Sequence, residues 1–401
     1  DIIEKLEYFQ ASQGKFLYAH VHKQAEKCLE LIKTKQSTTK IEICGDVRRM
    51  MPEVKGIELL SDAALVDIFP EIESMEYIDD QWYFMAIPIF IYVTESERFD
   101  QELFRLNSSE SFYVAFSNEE LSVGDDQMIF KNKGLPFIPA EFREHTDALS
   151  KNESYIQNLL EVEDIQGIVH NHSTYSDGLH TLKEMADYVR DSGFKYFVIS
   201  DHSKSAGYAS GLNEESVLMQ WNEIEKLNNQ YADGFKIYKG IESDILTDGS
   251  LDYSDDILAG FDLVIASVHS VLNMDEEKAT RRLITAIENP YTRILGHPTG
   301  RLLLARRGYP VDYKKVIDAC AANNVVIELN ANPQRLDLDW TWIPYALEKH
   351  VKVAINPDAH SKESIHYIKY GVAVARKGGL TKDMCLNTMN KEAFDQWLSR
   401  K

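Results

Sequence analysis

The sequence predicts an α/β fold, a parallel sheet closed as a barrel, preceded by a small α+β domain. Two observations carry this. Seven short apolar runs recur through the second half: GIV (167–169), VIS (198–200), KIYKGI (236–241), DLVIASV (262–268), RILG (293–296), VVIEL (325–329) and VKVAINP (351–357), with helical stretches between them. Short buried strands alternating with helices build a parallel sheet. Each run also ends at a residue able to bind a metal or a phosphate: His170-Asn171-His172, Asp201-His202, Glu242, His269, His297, Asn330 and Asp358-Ala359-His360. In such barrels the carboxyl ends of the strands form the active face. These side chains are therefore expected to converge, although they span about 190 residues of sequence.

The first half reads differently. Residues 1–37 read as helical, with Phe16, Ala19, Lys23, Ala25, Leu29 and Ile32 as a rough apolar stripe. Strand-like runs follow at IEIC (41–44), IELL (57–60), AALVDIF (63–69), WYFMAIPIFIYV (82–93) and SFYVAF (111–116). From GLPFIPAEFRE (134–144) to Glu163 the chain is polar and proline-bearing, as in a linker. The expected domains are 1–138, a linker over 139–166, and the barrel over 167–401.

Composition bounds the function. The 401 residues are 44% apolar and 27% charged, ordinary for a globular protein of two or three domains. No apolar run approaches the length of a membrane span. The segment Asp1-Ile2-Ile3-Glu4-Lys5 has no basic region followed by an apolar stretch, so no signal peptide is expected. Cys28, Cys44, Cys320 and Cys385 lie far apart, as expected of reduced thiols in a cytoplasmic protein. The net charge of −21 is uneven: residues 1–166 hold 32 acidic and 16 basic side chains, residues 167–401 hold 32 and 27. An acidic surface repels phosphodiester backbone, so any grip on nucleic acid belongs to the second half.

A lone histidine is more often a core or surface residue than a ligand. Here nine candidates, His170, His172, Asp177, His202, Glu242, His269, His297, Asp358 and His360, fall at or just past strand ends on one face. Alternation along a strand points His170 and His172 the same way, and likewise Asp358 and His360. Both pairs can hold one ion, with Glu242 bridging to a second that His269 and His297 complete. Asp177, His202 and His360 can hold a third. Mixed imidazole and carboxylate ligands suit zinc, manganese or iron, up to three ions in all. Such ions turn bound water into hydroxide near neutral pH and clamp both oxygens of an in-line displacement at phosphorus. Arg306 and Arg307 past the fifth strand, Lys204 beside His202, and Asn330 are the candidate substrate contacts. No G-x-S-x-G elbow or Walker A loop is present.

At this point the sequence resembles a known family. HNHSTYSDG (170–178), SDHS (200–203), GIESDI (240–245), SVHS (267–270), GHPTGR (296–301), ELNANP (328–333) and NPDAH (356–360), in that order, look like the polymerase and histidinol phosphatase (PHP) domain. The resemblance implies a distorted seven-stranded (β/α) barrel with a trinuclear metal centre and the same three ligand groups. It also implies, from Asp177 where small phosphatases tend to carry histidine, the variant attached to bacterial family X DNA polymerases. GLPFIPAEFRE (134–144) resembles the joining segment of those enzymes, and EICGDVRRMMPEVKGIELL (42–60) resembles their palm. Arg48 and Arg49 are kept, but the two metal-binding aspartates fall on Gly56 and Glu58, and IFIYV (89–93) carries no acid. Two-metal nucleotidyl transfer needs those carboxylates. The first domain is therefore expected to be a degenerate, catalytically silent polymerase-like module.

The expected activity is metal-dependent phosphoester hydrolysis at DNA 3′ ends, as a 3′→5′ exonuclease or 3′-phosphatase. A phosphatase of a small phosphomonoester, of the histidinol phosphate kind, is the alternative. A non-catalytic module docking a DNA-repair protein is a third reading.

Overall fold

The computed structural model describes residues 2–117, 121–122 and 124–399. Internal contacts group the chain into two compact units, Asp1–Leu159 with Leu303–Ala305, and Leu160–Leu302 with Arg306–Lys401.

The first unit opens with helices Ile2–Ser12 and Tyr18–Lys35. Gly14 at φ 73° and strand β1 (Phe16–Leu17) separate them, so the expected single helical stretch is broken. The buried seam of the second helix is Val21, Ala25, Cys28 and Ile32, while Lys23 is exposed. The expected stripe was thus out of phase at Ala19 and Lys23.

Six more strands follow: β2 (Ile41–Ile43), β3 (Glu53–Val54), β4 (Ile57–Ser61), β5 (Met75–Ile78), β6 (Gln81–Phe84) and β7 (Ile87–Val93). β1 pairs with β3. The rest form a mixed sheet in the order β2-β4-β7-β6-β5, with β4 and β7 parallel. The expected long strand 82–93 is a hairpin that turns at Met85 and Ala86, both at positive φ.

Two expected strands are not strands. AALVDIF (63–69) is turn and the start of a 3-10 helix, Phe69–Glu71. SFYVAF lies in a helix, Glu110–Phe116, because Ser109 caps Phe112 N and Phe112 and Phe116, four apart, bury the same face. They pack with Phe104, Phe130, Ile138, Phe142, Ala148 and Leu159 in one core cluster. The polar stretch 139–166 is therefore not a bare linker: its 3-10 turns Ala140–Phe142 and Thr146–Ser150 anchor in that cluster, and the division between units falls at Leu159.

The second unit holds seven parallel strands in sequence order: β8 (Gly167–Ile168), β9 (Tyr196–Ile199), β10 (Lys236–Asp244), β11 (Leu263–Ser267), β12 (Thr292–Leu295), β13 (Val326–Asn330) and β14 (Val353–Asn356). Each overlaps one of the seven apolar runs. A bridge between Asn171 and Ala359, past the ends of β8 and β14, nearly closes the sheet into a barrel at the carboxyl end. Intervening helices are started by side-chain caps at Thr181, Asn213, Asp275 and Asp312. The barrel interior is apolar, with Val169, Val198, Ile265, Ile294 and Ala354 buried in one cluster. Phe394 of the terminal helix Lys391–Ser399 stacks on Tyr196 at 4.4 Å between ring centroids. The amino-terminal end is thereby filled with apolar side chains, and polar residues concentrate at the other. All four cysteines are free and buried. Among the described residues no helix is long and apolar enough to cross a membrane.

Candidate metal centre

The polar residues at the carboxyl ends of the strands converge as their spacing predicts. Glu242, fully buried, ends near five imidazoles: its carboxylate oxygens lie 3.2 Å from His170 Nε2, 3.6 Å from His172 Nε2, 3.0 Å from His202 Nδ1, 3.1 Å from His269 Nε2 and 2.9 Å from His297 Nε2. Asp358 Oδ1 lies 3.0 Å from His172 Nε2 and 3.6 Å from His170 Nε2. Asp177 Oδ1 lies 3.3 Å from His360 Nε2 and 3.6 Å from His202 Nε2. His172 stacks between its neighbours, 4.4 Å from the His202 ring and 4.1 Å from that of His360.

Four sets of donor atoms lie within 4.8 Å of one another: His170, His172 and Glu242; His170, His297 and Asp358; His202, Glu242 and His269; and His172, Asp177, His202 and His360. All nine expected ligands take part. The sets overlap and assign no ion, and His269 and His297 both face Glu242 Oε1, at 3.1 and 2.9 Å. His297 joins His170 and Asp358, His202 belongs to two sets, and His172 reaches the Asp177 set.

The donors fit divalent cations. Buried His172 Nδ1 and His297 Nδ1 have no hydrogen-bond partner, and His170 Nε2 and His202 Nδ1 lie 3.2 and 3.0 Å from the Glu242 carboxylate without an aligned hydrogen bond. An unmet buried polar atom costs about 1–3 kcal/mol, so imidazoles and a carboxylate crowded in this way form an arrangement that cation ligation would relieve. Two candidate ligands also adopt left-handed backbone, His170 at φ 65° and Asp358 at φ 51°. Such strain costs on the order of 1–3 kcal/mol each for residues other than glycine, and it clusters at functional sites.

Charge coupling is strong. Burial would raise the Glu242 carboxyl, but His269, His170 and His202 hold it well below its usual range. Asp358 is likewise held low, by His170 and His172 against burial. Against burial, hydrogen bonding to His360 and the neighbouring histidines lower Asp177 to about 2. Burial, then His360 and His202, lower the His172 imidazole to about 3. Burial would also lower His269 and His360, yet nearby carboxylates raise them to about 10 and about 9.

Sequence reasoning missed the residues behind the ligands. Glu328 takes His170 Nδ1 at 2.6 Å, His297 N at 2.7 Å and Asn356 Nδ2 at 2.8 Å. Asp244 receives His269 Nδ1, and Ser205 Oγ donates to it at 2.9 Å. A carboxylate inside the apolar run VVIEL, and one two residues past Glu242 on the same strand face, were the available signals. Asp201 accepts from Ser173 N at 2.7 Å, Ser176 Oγ at 2.5 Å and Gln220 Nε2 at 2.7 Å, which fixes the loop carrying Asp177.

The expected substrate contacts are placed unevenly. Asn330 is buried and donates to Asp358 Oδ2 at 3.0 Å, so it orients a candidate ligand and is closed to substrate. Arg306 directs Nε and Nη2 to Gly300 O, at 3.2 and 2.8 Å. Arg307 is exposed. Lys204 pairs with Glu214 at 2.8 Å. Arg335, which no strand-end pattern marks, brings its Nε to 3.5 Å from Asp358 Oδ2.

The PHP domain family model matches residues 169–332. The chain is 41% identical over 275 residues to the DNA polymerase/3′-5′ exonuclease PolX of Bacillus subtilis (strain 168), covering 69% of this chain and 48% of that protein. It therefore spans about half the length of that relative. It is 30% identical over 231 residues to a protein named probable phosphatase from Thermoanaerobacter sp. (strain X514), covering 55% of this chain and 89% of that one. Among solved structures, histidinol phosphate phosphatase from Lactococcus lactis, complexed with zinc, L-histidinol and phosphate, aligns at TM-score 0.41 and 17% identity. That alignment covers 53% of this chain and 94% of that one.

Proposed function

Because the chain belongs to the PHP domain family, we propose that its barrel is a metal-dependent phosphoester hydrolase that removes nucleotides or phosphate from DNA 3′ ends. The observation that carries this reading is the convergence of nine ligand-type side chains on one face, in a chain 41% identical over most of its length to a 3′-5′ exonuclease.

Bound divalent ions would supply Lewis acidity and an activated water for displacement at phosphorus. The chain's own residues do the rest. Glu242 and the imidazoles around it form a largely buried floor. Asp177 and His360, whose side chains are 34% and 37% exposed, form the open lip at which a phosphate enters. Glu328 and Asp244 accept hydrogen bonds from His170 Nδ1 and His269 Nδ1, which leaves each Nε2 directed at Glu242. Arg335 stands beside Asp358 at the edge of the cluster, placed to donate to a substrate phosphate oxygen.

The first unit fits a module without nucleotidyl transfer. Glu58, the one acid left at the resembling positions, accepts from Asp46 N at 2.6 Å and from Tyr92 Oη at 3.3 Å. Arg49 is bound by Asp46 and Glu144, and Arg48 lies 3.8 Å from Glu141.

Manganese-loaded protein mixed with a 5′-labelled single-stranded oligonucleotide, without nucleoside triphosphates, tests the reading. A ladder of shortened products that His202→Ala abolishes is expected. The acidic character of residues 1–166 favours a small phosphomonoester instead. Phosphate release from such an ester, with no shortening of DNA, would select that second reading.

A further inference from the structure

Tyr208 carries a mostly solvent-exposed ring at the mouth of the metal centre. The residue is 70% exposed, and its ring centroid lies 6.0 Å from that of His202 and 6.4 Å from that of His269. The interplanar angles are 60° and 63°, so neither imidazole stacks on the tyrosine face.

A single exposed apolar side chain is ordinary. This one differs in how firmly its loop is held. Ala206 and Ala209 are buried on either side of it. Ala206 N donates to Ser203 O at 3.0 Å, and Gly211 N to Ala206 O at 3.1 Å. Ser205 N donates to Asp252 at 2.6 Å, and Ser205 Oγ to Asp244 at 2.9 Å. A Cβ on Gly211 would lie 1.9 Å from Ser203 O, so the loop closes more tightly than any other residue permits. The ring is thus displayed on a braced support. The lip is apolar elsewhere too. Leu179 and Val271, each two residues past a candidate ligand, are 75% and 58% exposed. Arg335 adds a cation close to Asp358.

We propose that Tyr208 is a stacking platform for the terminal base of a DNA 3′ end, so that the centre takes an unpaired nucleotide rather than a base-free phosphoester. This rests on the nuclease reading of the site. An aromatic face accepts any base, so the platform selects an unstacked end without selecting sequence. Arg335 and the cluster then take the adjoining phosphate. A base paired within a duplex presents no free face to Tyr208, so frayed or single-stranded ends are the substrates of choice.

The test compares two oligonucleotides that differ only in whether the 3′-terminal nucleotide carries a base or an abasic tetrahydrofuran. KM is measured with manganese-loaded wild type, Tyr208→Ala and Tyr208→Trp. Equilibrium binding is measured in parallel with hydrolysis-resistant phosphorothioate versions of both. Wild type is expected to favour the base-bearing end by about 5-fold to 100-fold in KM and Kd, the range that stacking of one base supplies. Tyr208→Ala should collapse that ratio towards one, and Tyr208→Trp should keep it. Equal KM and Kd for the two ends in wild type would overturn the platform while leaving nuclease action intact. So would a ratio that Tyr208→Ala leaves unchanged. A Tyr208-dependent binding preference without any shortening would uphold the platform and remove the nuclease reading. Neither preference nor shortening would remove both.

Discussion

His170 Nδ1 meets Glu328 at 2.6 Å, and the two are buried together beneath the candidate metal centre. The contact fixes which imidazole nitrogen faces Glu242. The same carboxylate takes His297 N at 2.7 Å, so one residue sets two candidate ligands. His269 and Asp244 repeat the arrangement on the opposite side.

Removing that support should weaken metal binding more than folding. Glu328→Gln keeps the shape but donates where a carboxylate accepted. Loss of such a partner typically lowers metal affinity about 10- to 100-fold. Competition against a chromogenic chelator measures it. Unchanged affinity would show that Glu328 serves packing alone.

Proton linkage gives a second prediction. Burial lowers His269 and His360, but carboxylates hold them up at about 10 and about 9 in the metal-free protein. Their contribution to stability is full below the unfolded value near 6.5 and is lost as pH rises through about 9 to 10. A metal must displace those protons, so metal affinity should rise with pH over the same window. The gain in melting temperature on adding manganese should therefore be larger at pH 9 than at pH 6.5. Calorimetry in buffers of different ionisation heat should detect proton release at pH 7. A metal-induced shift independent of pH would count against this.

Arg335 yields a third. Arg335→Ala should raise KM for a phosphoester several-fold or more, since hydrogen bonds to charged groups contribute about 1.5–3 kcal/mol. Arg306→Ala should have a smaller effect, because Arg306 spends two donors on Gly300 O. The reverse order would return the phosphate grip to Arg306.

A fourth concerns the first unit. A Cβ at Gly56 would lie 2.2 Å from Pro88 O on the neighbouring strand and 2.9 Å from the Phe90 ring. Gly56→Asp, which recreates the acid of the resembling polymerases, should therefore destabilise the unit by about 1–3 kcal/mol or more. It should not restore primer extension. Templated incorporation by this variant would contradict the silent reading.

The barrel was legible because two periodicities agree. Buried parallel strands read as apolar runs, and the residue after each run points out of the carboxyl end whatever the loop lengths. His170, Glu242 and Asp358 were visible for that reason. Glu328 and Asp244 were harder, since a carboxylate within a strand is read as surface until its neighbours are known. Tyr208 and Arg335 lie in loops, where no periodicity operates. In the first unit SFYVAF has strand-like composition, yet the cap at Ser109 and the i,i+4 pairing of Phe112 with Phe116 make it a helix. The turn at Met85-Ala86 adopts positive φ without the glycine or asparagine that usually announces it.

The most direct measurement titrates manganese into metal-free protein and follows bound ions per chain together with phosphoester hydrolysis. Turnover should rise in step with occupancy, to more than one ion per chain, and the melting temperature should rise with it. Full hydrolysis by the chelated, metal-free protein would contradict the account.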